Sequence, residues 1–393
     1  MKFKGSDQPS LGMEIELQIL DPDTLDLVDG ILPLMASYPQ QAFTKPEYNQ
    51  ATVEINSPVC SNIEELKVNV LKILTSLQAR CEELGMVLCG AGTHPFSQRL
   101  VPVTPLQRYL GQYEVAGYLS YWLTFAQHVH VGISSGDEAV AIAKLLKPYL
   151  PILLALAANS PFWQGYDTGY ACFRQRLLAS RRTYGMPPSF QNWQDFVNFF
   201  HGAKKAKIVD TIRDLHWDLR LRPDLGTLEV RVMDVQPTLQ EALMLASFVH
   251  SLIVYLQHYR AGKATGFILE AKHWWLEKEN YFQASRLGLA ANYIENSQGN
   301  ARPIKQVITD ILDSLQTTAE ELGETKYLKL MRQRIRETKP TCLYKVPGYI
   351  RQRQIWQTTG SAKAVVTCLV RELKQELSGL LISDATSKLN ILN

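Results

Sequence analysis

The stretch that most constrains the chain is His216–Asp234, HWDLRLRPDLGTLEVRVMD. It reads as two strands joined by a short Pro/Asp/Gly loop. In the first, Leu219 and Leu221 alternate with Asp218, Arg220 and Arg222; in the second, Leu228, Val230 and Val232 alternate with Thr227, Glu229 and Arg231. Side chains on a strand alternate faces, so each strand has one apolar face and one charged face. The charged face holds arginines and acids together. It is either the wet side of a sheet, laced by cross-strand ion pairs worth about 0.2–1 kcal/mol each, or the floor of a site for something anionic and metal-bound.

Composition bounds the choice. With 393 residues, 46% hydrophobic and 20% charged, the chain is long enough for one large folded domain or two ordinary ones. We expect a single catalytic domain over 1–393, mostly helical from about residue 238. The net charge of +3 is small for this length, and no basic block is interleaved with aromatics, so nucleic acid is not an expected partner. The segment MKFKGSDQPSLGMEIEL lacks the apolar core of a signal peptide. The most apolar run, Leu150–Ala158, is shorter than the roughly 20 residues a bilayer span requires. A soluble cytoplasmic protein with no membrane partner is expected, and its six cysteines, without CxxC or zinc spacing, suit reduced thiols.

Along the chain, Leu11–Leu20 is a predicted strand with Glu14, Glu16 and Gln18 on one face. Leu25–Val28 is expected to return as a second strand, and Thr52–Ile55 is a short strand centred on Glu54. A helix is predicted from Ser61 to Leu84 with a Ser61/Glu64 capping box. Val87–Ala91 and Gln127–Ile133 are further strands; Asp137–Ala158 and Asn192–Ala203 are helical, and Asn159–Ser189 is a long polar and aromatic loop. Thr238–His258 is an amphipathic helix with a Thr238/Glu241 box. Further helices are expected over Leu269–Leu287, Pro303–Leu322, Lys326–Glu337 and Ala362–Leu381, with a frayed end at Ser383–Asn393. Strands mixed with helices, then helices alone, indicate α+β with an antiparallel sheet covered on one side.

The chemistry concentrates on strands. Glu14 and Glu16 are two apart, so their stems sit roughly 6.5–7 Å apart on one side; two such carboxylates suit a hard cation such as Mg²⁺, or simply face water. Glu54 in VEIN admits the same two readings. His128 and His130 form an HxH with both rings on one face, able to ligate a metal or to pack against a helix. His94 lies in a tight Gly/Pro context, whereas His250 and His258 lie on helical patterns and look structural. Arginines beside Glu229 suit bidentate contact with carboxylate or phosphate. No GxxxxGK[ST], strand–GxGxxG–helix or GxSxG segment is present, so a nucleotide has to be held by metals and arginines on a sheet.

The segments LGMEIELQILDP, KPEYNQATVEINSPVC, GAGTHPF, QHVHVGI, LAANSPFWQGYDTGYACFR, DLHWDLRLRPDLGTLEVRVMD and ENYFQASRLGL occur in that order. With them the chain resembles the carboxylate–amine ligase family of the glutamate–cysteine ligase type 2 group (YbdK-type) from about Leu11 to Leu381. The resemblance implies a glutamine-synthetase-like fold, with a curved antiparallel sheet forming a funnel-shaped site and helices outside. It implies ATP and Mg²⁺ (or Mn²⁺), phosphorylation of a carboxylate to an acyl phosphate, and attack by an amine. In the best-known members glutamate and cysteine give γ-glutamylcysteine, the entry to glutathione biosynthesis. Carried over by residue, it implies metal ligands at Glu14, Glu16, Glu54, His130 and Glu229, and Arg231 on the transferred phosphoryl group. It further implies Arg220 and Arg222 at phosphate or carboxylate, and Arg174, with His94, at substrate. Gln50 stands where some members place an acid, with Glu47 as the alternative. Spacing does not choose between His128 and His130; the resemblance points to His130.

Two other functions remain open at this level: a metal-dependent hydrolase built on the HxH, and a ligase-like fold retained as a small-molecule sensor. The amine substrate has no recognisable motif. The helical C-terminal third could pack on its own sheet or on a partner, so a homo-oligomer is compatible with the sequence.

Overall fold

Period-two alternation makes Leu11–Leu20 the central strand of a seven-stranded sheet. The computed structural model describes residues 1–38, 41–271, 273–336 and 346–391. The strands are β1 (Leu11–Leu20), β2 (Thr44–Pro46), β3 (Thr52–Asn56), β4 (Val87–Cys89), β5 (Ala126–Gly132), β6 (Leu219–Arg222) and β7 (Thr227–Asp234). Their order is β6-β7-β5-β1-β3-β2, with β4 also on β1, and every pairing is antiparallel. Register fixes the faces. Glu14 lies opposite His128, Glu16 opposite Glu54, and Glu229 opposite both His130 and Arg220. Directly opposed residues share a face, so one side of the sheet collects these charged groups. The other side carries Met13, Ile15, Leu17, Val53, Ile55, Val129, Val131, Leu219, Leu228 and Val230, all buried.

Helices Ile63–Glu83, Gly136–Leu146, Leu150–Ala157 and Leu239–Arg260 pack against the sheet. Gln127, immediately before His128 on the strand, points the opposite way and donates to the Ala242 carbonyl of helix Leu239–Arg260 at 2.8 Å. That helix and the Gly136–Ala157 segment are long and apolar enough to cross a bilayer, yet 94% and 72% of their apolar windows are buried in the fold. Such all-round apolar helices are core elements here. Buried apolar residues from Leu11 to Leu377 form one contiguous cluster.

The α+β expectation holds, with local corrections. Leu25–Val28 forms only an isolated bridge, Leu20 to Leu27, because Leu25 takes a left-handed φ of 59°. The first capping box is displaced by one residue: Asn62, not Ser61, accepts from the Glu65 amide, and the Glu65 carboxylate accepts from the Ser61 amide. Thr238 caps its helix as expected. Strand β6 begins at Leu219, while His216–Trp217 pairs instead, in parallel, with Tyr184–Gly185. The helix expected from Leu269 starts at Trp274, and Pro303–Leu322 is two helices, Ile304–Ser314 and Gln316–Glu321. The last helix runs from Ala362 to Ile391 rather than fraying at Ser383. Helices Ile31–Ser37, Gln107–Ala116 and Gly348–Thr359 were not legible in the pattern. Five cysteines are free and buried; Cys342 and Glu337 lie outside the described residues.

The hairpin joining β6 to β7 needs Gly226. Its φ is +72°, and a Cβ there would run into the Lys4 carbonyl of the N-terminal segment laid over the turn. Behind the sheet, the C-terminal helices are tied to helix Leu239–Arg260 through Glu241. Its fully buried carboxylate accepts from Arg334 at 2.8 Å and from Arg351 at 2.8 and 2.9 Å. Burial raises the Glu241 pKa, but Arg351 and Arg334 outweigh that and leave it lowered. Burial holds the Arg334 guanidinium down to about 10. Removing one partner of such a network strands the others without solvent. Glu241→Ala is therefore expected to lower unfolding free energy by about 3–5 kcal/mol in urea denaturation; a loss within the roughly 0.5 kcal/mol of an ordinary surface substitution would contradict the network's role.

Candidate active site

The sheet order sorts the charged face into zones. Arginines sit on β6 and β7, histidines on β5, and acids on β1 and β3. On β2, Lys45 reaches Glu54 at 2.6 Å. At the arginine end Glu229 is fully buried. Arg220 grips it with two bonds, Nε at 2.8 Å and Nη2 at 2.9 Å; Arg222 Nη1 lies at 3.4 Å, and Arg231 Nη1 donates to Oε1. Burial pushes the Glu229 carboxyl up, but Arg220 and Arg231 outweigh it and hold it well below the usual range.

These contacts separate the three arginines. Each nitrogen of Arg220 is engaged, Nη1 by the Arg213 and Leu215 carbonyls. Arg222 is likewise tied, by Nε and Nη2, to Asp224. Arg231 is different: its buried Nε has no hydrogen-bond partner, and Nη1 also approaches His128 Nδ1 at 3.2 Å. Arg220 and Arg222 thus orient Glu229 and Arg231, and Arg231 is the arginine with a donor to offer. In β7 the residues from Val230 to Met233 face the shorter stretch from Val129 to Gln127, a bulge of one residue beside Arg231. Buried Arg174, at the start of helix Arg174–Leu178, secures the bulge by donating to the Val232 and Arg231 carbonyls at 3.2 and 3.3 Å. Its buried Nε is unpartnered.

The remaining expected ligands fall into two groups. Glu14, His128 and Glu229 each bring a ligand atom within 4.8 Å of the others, as do Glu16, Glu47 and Glu54. Glu47, the alternative to Gln50, is therefore in the site, while Gln50 bonds the Val103 carbonyl. His128 Nδ1 lies 2.9 Å from Glu14 and is shared with Arg231. His130 holds Thr227 through Nδ1 at 3.1 Å; its buried Nε2 has no hydrogen-bond partner and lies 3.4 Å from Glu14 and 3.8 Å from Glu229. An orphaned buried imidazole nitrogen among carboxylates, and three clustered carboxylates, suit hard divalent cations. His94 stands apart. Its Nδ1 accepts from the Ser97 amide at 2.9 Å, so Nε2 donates to the Leu25 carbonyl at 3.0 Å, and neither nitrogen is left for a substrate.

The amino-acid sequence matches the profile described as Glutamate-cysteine ligase family 2 (GCS2) over residues 10–367. The chain belongs to glutamate–cysteine ligase family 2. It is thereby a carbon–nitrogen ligase of the glutamate–cysteine ligase type. A Trichormus variabilis protein named "Putative glutamate–cysteine ligase 2" is 55% identical over 96% of each chain, and a Thermobifida fusca protein of the same name is 32% identical over 95% of this chain and 93% of its own. Two solved structures share the fold. Glutamate–cysteine ligase from Francisella tularensis, in complex with AMP, superposes with a TM-score of 0.69 at 11% identity, covering 98% of this chain and 95% of that one. A bifunctional glutathione synthetase from Pasteurella multocida gives 0.68 at 14% identity; this chain covers 53% of its length, about half of that protein. The glutamine-synthetase-like architecture expected from the sequence is the one present.

Electrostatics of the acidic cluster give a measurable signature. Burial, then the Glu47 carboxylate, pushes Glu16 up to about 8; burial, then Glu14 and Glu47, raises Glu54 well above its ordinary value. A raised carboxyl holds a proton in the folded state that the unfolded chain has released, so stability falls as pH rises towards the folded pKa. His128, pulled down to about 4 by burial and then Arg231, acts oppositely, but only up to its ordinary 6.5. Between 6.5 and about 8 the acids dominate. Metal-free protein is expected to lose thermal stability across that window; Mg²⁺ or Mn²⁺ restores it, and Glu16→Gln flattens it. A midpoint equally pH-independent in wild type and variant would refute the cluster.

Proposed function

We propose that this chain is an ATP-dependent carboxylate–amine ligase. It would activate the γ-carboxylate of glutamate as an acyl phosphate and join it to the amine of cysteine, giving γ-glutamylcysteine, ADP and phosphate. The observation that carries this reading is the division of one sheet face into acids and arginines, with the unpartnered buried Nε of Arg231 at the arginine side. Phosphoryl transfer asks little covalent help of a protein; it needs fixed positive charge aimed at the moving phosphoryl group. Arg231 is assigned that role, with Arg220 and Arg222 holding it through Glu229. Glu14, Glu229 and His130, with His128 beside them, would hold one Mg²⁺ or Mn²⁺, and Glu16, Glu47 and Glu54 another. Bound there with ATP, the cations would supply charge neutralisation at the phosphates. Arg174 is assigned to positioning through the bulge, with its free Nε directed to a substrate carboxylate.

Family membership and the AMP-bound structure of the Francisella relative support ATP as the nucleotide. They favour a ligase over a zinc hydrolase, whose HxH here is surrounded by carboxylates and shared with Arg231. We place the reaction in one catalytic domain and at the start of glutathione synthesis in the cytoplasm, with amino acids and ATP as partners.

A phosphate-release screen tests the reading: glutamate fixed with amines varied, then the reverse. Release that requires Mg²⁺ or Mn²⁺, glutamate and cysteine together is expected; release with no glutamate-containing pair would overturn the substrates. Arg231→Lys keeps the charge but loses the planar fork. It is expected to lower kcat by about 10²-fold or more, the scale of one transition-state donor. Undiminished kcat would remove Arg231 from the phosphoryl group.

A further inference from the structure

Beside the arginine end of the face lies an imidazole that none of the roles above uses. His216 follows Leu215, whose carbonyl accepts from Arg220 at 3.2 Å. Its ring stacks on Tyr184 at 4.6 Å with the planes 4° apart, and the Arg181 guanidinium lies over the Tyr184 ring at 5.7 Å. The backbones of the two aromatic residues are paired as well. Thr183, beside them, has a φ of 66°, a left-handed conformation unusual for a β-branched residue. Strain of this kind gathers at functional sites. Here it aims the Thr183 hydroxyl: Oγ1 donates to the Asp214 carbonyl at 2.8 Å and lies 3.3 Å from His216 Nδ1.

That pair of contacts fixes a tautomer. A carbonyl can only accept, so the single hydroxyl proton goes to Asp214, and Nδ1, which faces Oγ1 and the Asp214 backbone, is the ring nitrogen that carries the proton. Nε2 therefore carries a lone pair. Among the described residues it has no hydrogen-bond partner, and the residue is only partly buried. We propose that His216 Nε2 is the base that takes a proton from the incoming amine, an inference that rests on the ligase reading above.

The groups facing His216 explain why it is ready to accept. Burial, then the charges of Arg231 and Arg220 from the sheet and of Arg108 from helix Gln107–Ala116, lowers its pKa well below the ordinary value, so the ring is neutral in the free protein. The Asp214 carboxylate is turned to the Asp210 and Thr211 amides, leaving only the Asp214 carbonyl toward this site. Phosphates entering beside Arg231 and Arg220 offset those positive charges and make the imidazole more basic. The base thus strengthens when the activated carboxylate is in place. An amino-acid amine arrives as an ammonium. One proton passes to Nε2 and then to water. The freed nitrogen lone pair attacks the acyl carbon, the C–N bond forms, and the C–O bond to phosphate breaks with its electron pair on phosphate. A second proton leaves the nitrogen with the departing phosphate, and one proton stays on the amide.

The test replaces the amine by hydroxylamine, which is already neutral at neutral pH and needs no base. With glutamate and MgATP, His216→Gln is expected to lose amide formation from cysteine by about 10²-fold or more. It should form hydroxamate at close to the wild-type rate with unchanged KM for ATP, and the amide defect should shrink as pH rises. Equal loss of both products, no loss of either, or a raised KM for ATP would overturn the assignment. If His216→Gln lacks a cooperative thermal transition, Thr183→Gly serves instead: it suits the positive φ, removes Oγ1 and frees the tautomer, with the same selective loss expected. Wild-type protein that forms neither product would refute the ligase reading itself, not the role of His216.

Discussion

A buried carboxylate gripped by arginines organises the candidate site. Glu229 has no exposure and would be costly to ionise alone. Arg220 meets it with a planar two-bond fork, Arg222 adds a second cation and a third contact, and Arg231 a third cation and a fourth contact from two residues along the same strand. The cations outnumber the acid, so the surplus positive charge remains at one end of the sheet and is carried by Arg231. Desolvation magnifies that charge towards an anion. Glu16 of β1 and Glu54 of β3 gather at the other end with Glu47, where burial and mutual repulsion make them poor neighbours without a cation. Antiparallel order places the histidines of β5 between the two ends. The face thus places surplus positive charge beside a cluster of carboxylates, the combination on which the proposed metal–nucleotide site rests.

The support for this arrangement comes from behind. Helix Leu239–Arg260 fixes β5 through Gln127 and is itself tied by Glu241 to Arg334 and Arg351 in the C-terminal helices. Position on the charged face therefore depends on a second buried ion network with no exposure to solvent. The bulge in β7 is held from the side by Arg174 and by Gln175, whose amide donates to the Val232 carbonyl at 2.7 Å. Where the strand departs from regular pairing, side chains from helix Arg174–Leu178, inside the stretch expected to be a long loop, supply the missing backbone partners.

Much of this was legible because strand alternation is a strict code. Spacing put Glu14 with Glu16, His128 with His130, and Glu229 with Arg231 on one face of their strands; the resemblance added Glu54 and pointed to His130, and register brought these strands together. What spacing cannot carry is which charge neutralises which. Arg220, Arg222 and Arg231 look alike in LRLR and EVRV, yet only Arg231 retains an unengaged buried donor. The division into two acidic groups, with Glu47 in one, follows from a loop whose path the pattern does not encode. His94 drew attention by its Gly/Pro setting, but that tight turn engages both its nitrogens with backbone. His216 read as part of a strand; its break from β6 and pairing with Tyr184 come from a strained Thr183, a tertiary feature without a local signal.

The central claim is that the charged face moves a phosphoryl group onto a carboxylate. Glutamate labelled with ¹⁸O in its γ-carboxylate, turned over with ATP, Mg²⁺ and cysteine, tests it directly by mass spectrometry of the phosphate released. The account predicts that a labelled carboxylate oxygen leaves with the phosphate in every turnover. Unlabelled phosphate alongside amide product would contradict it.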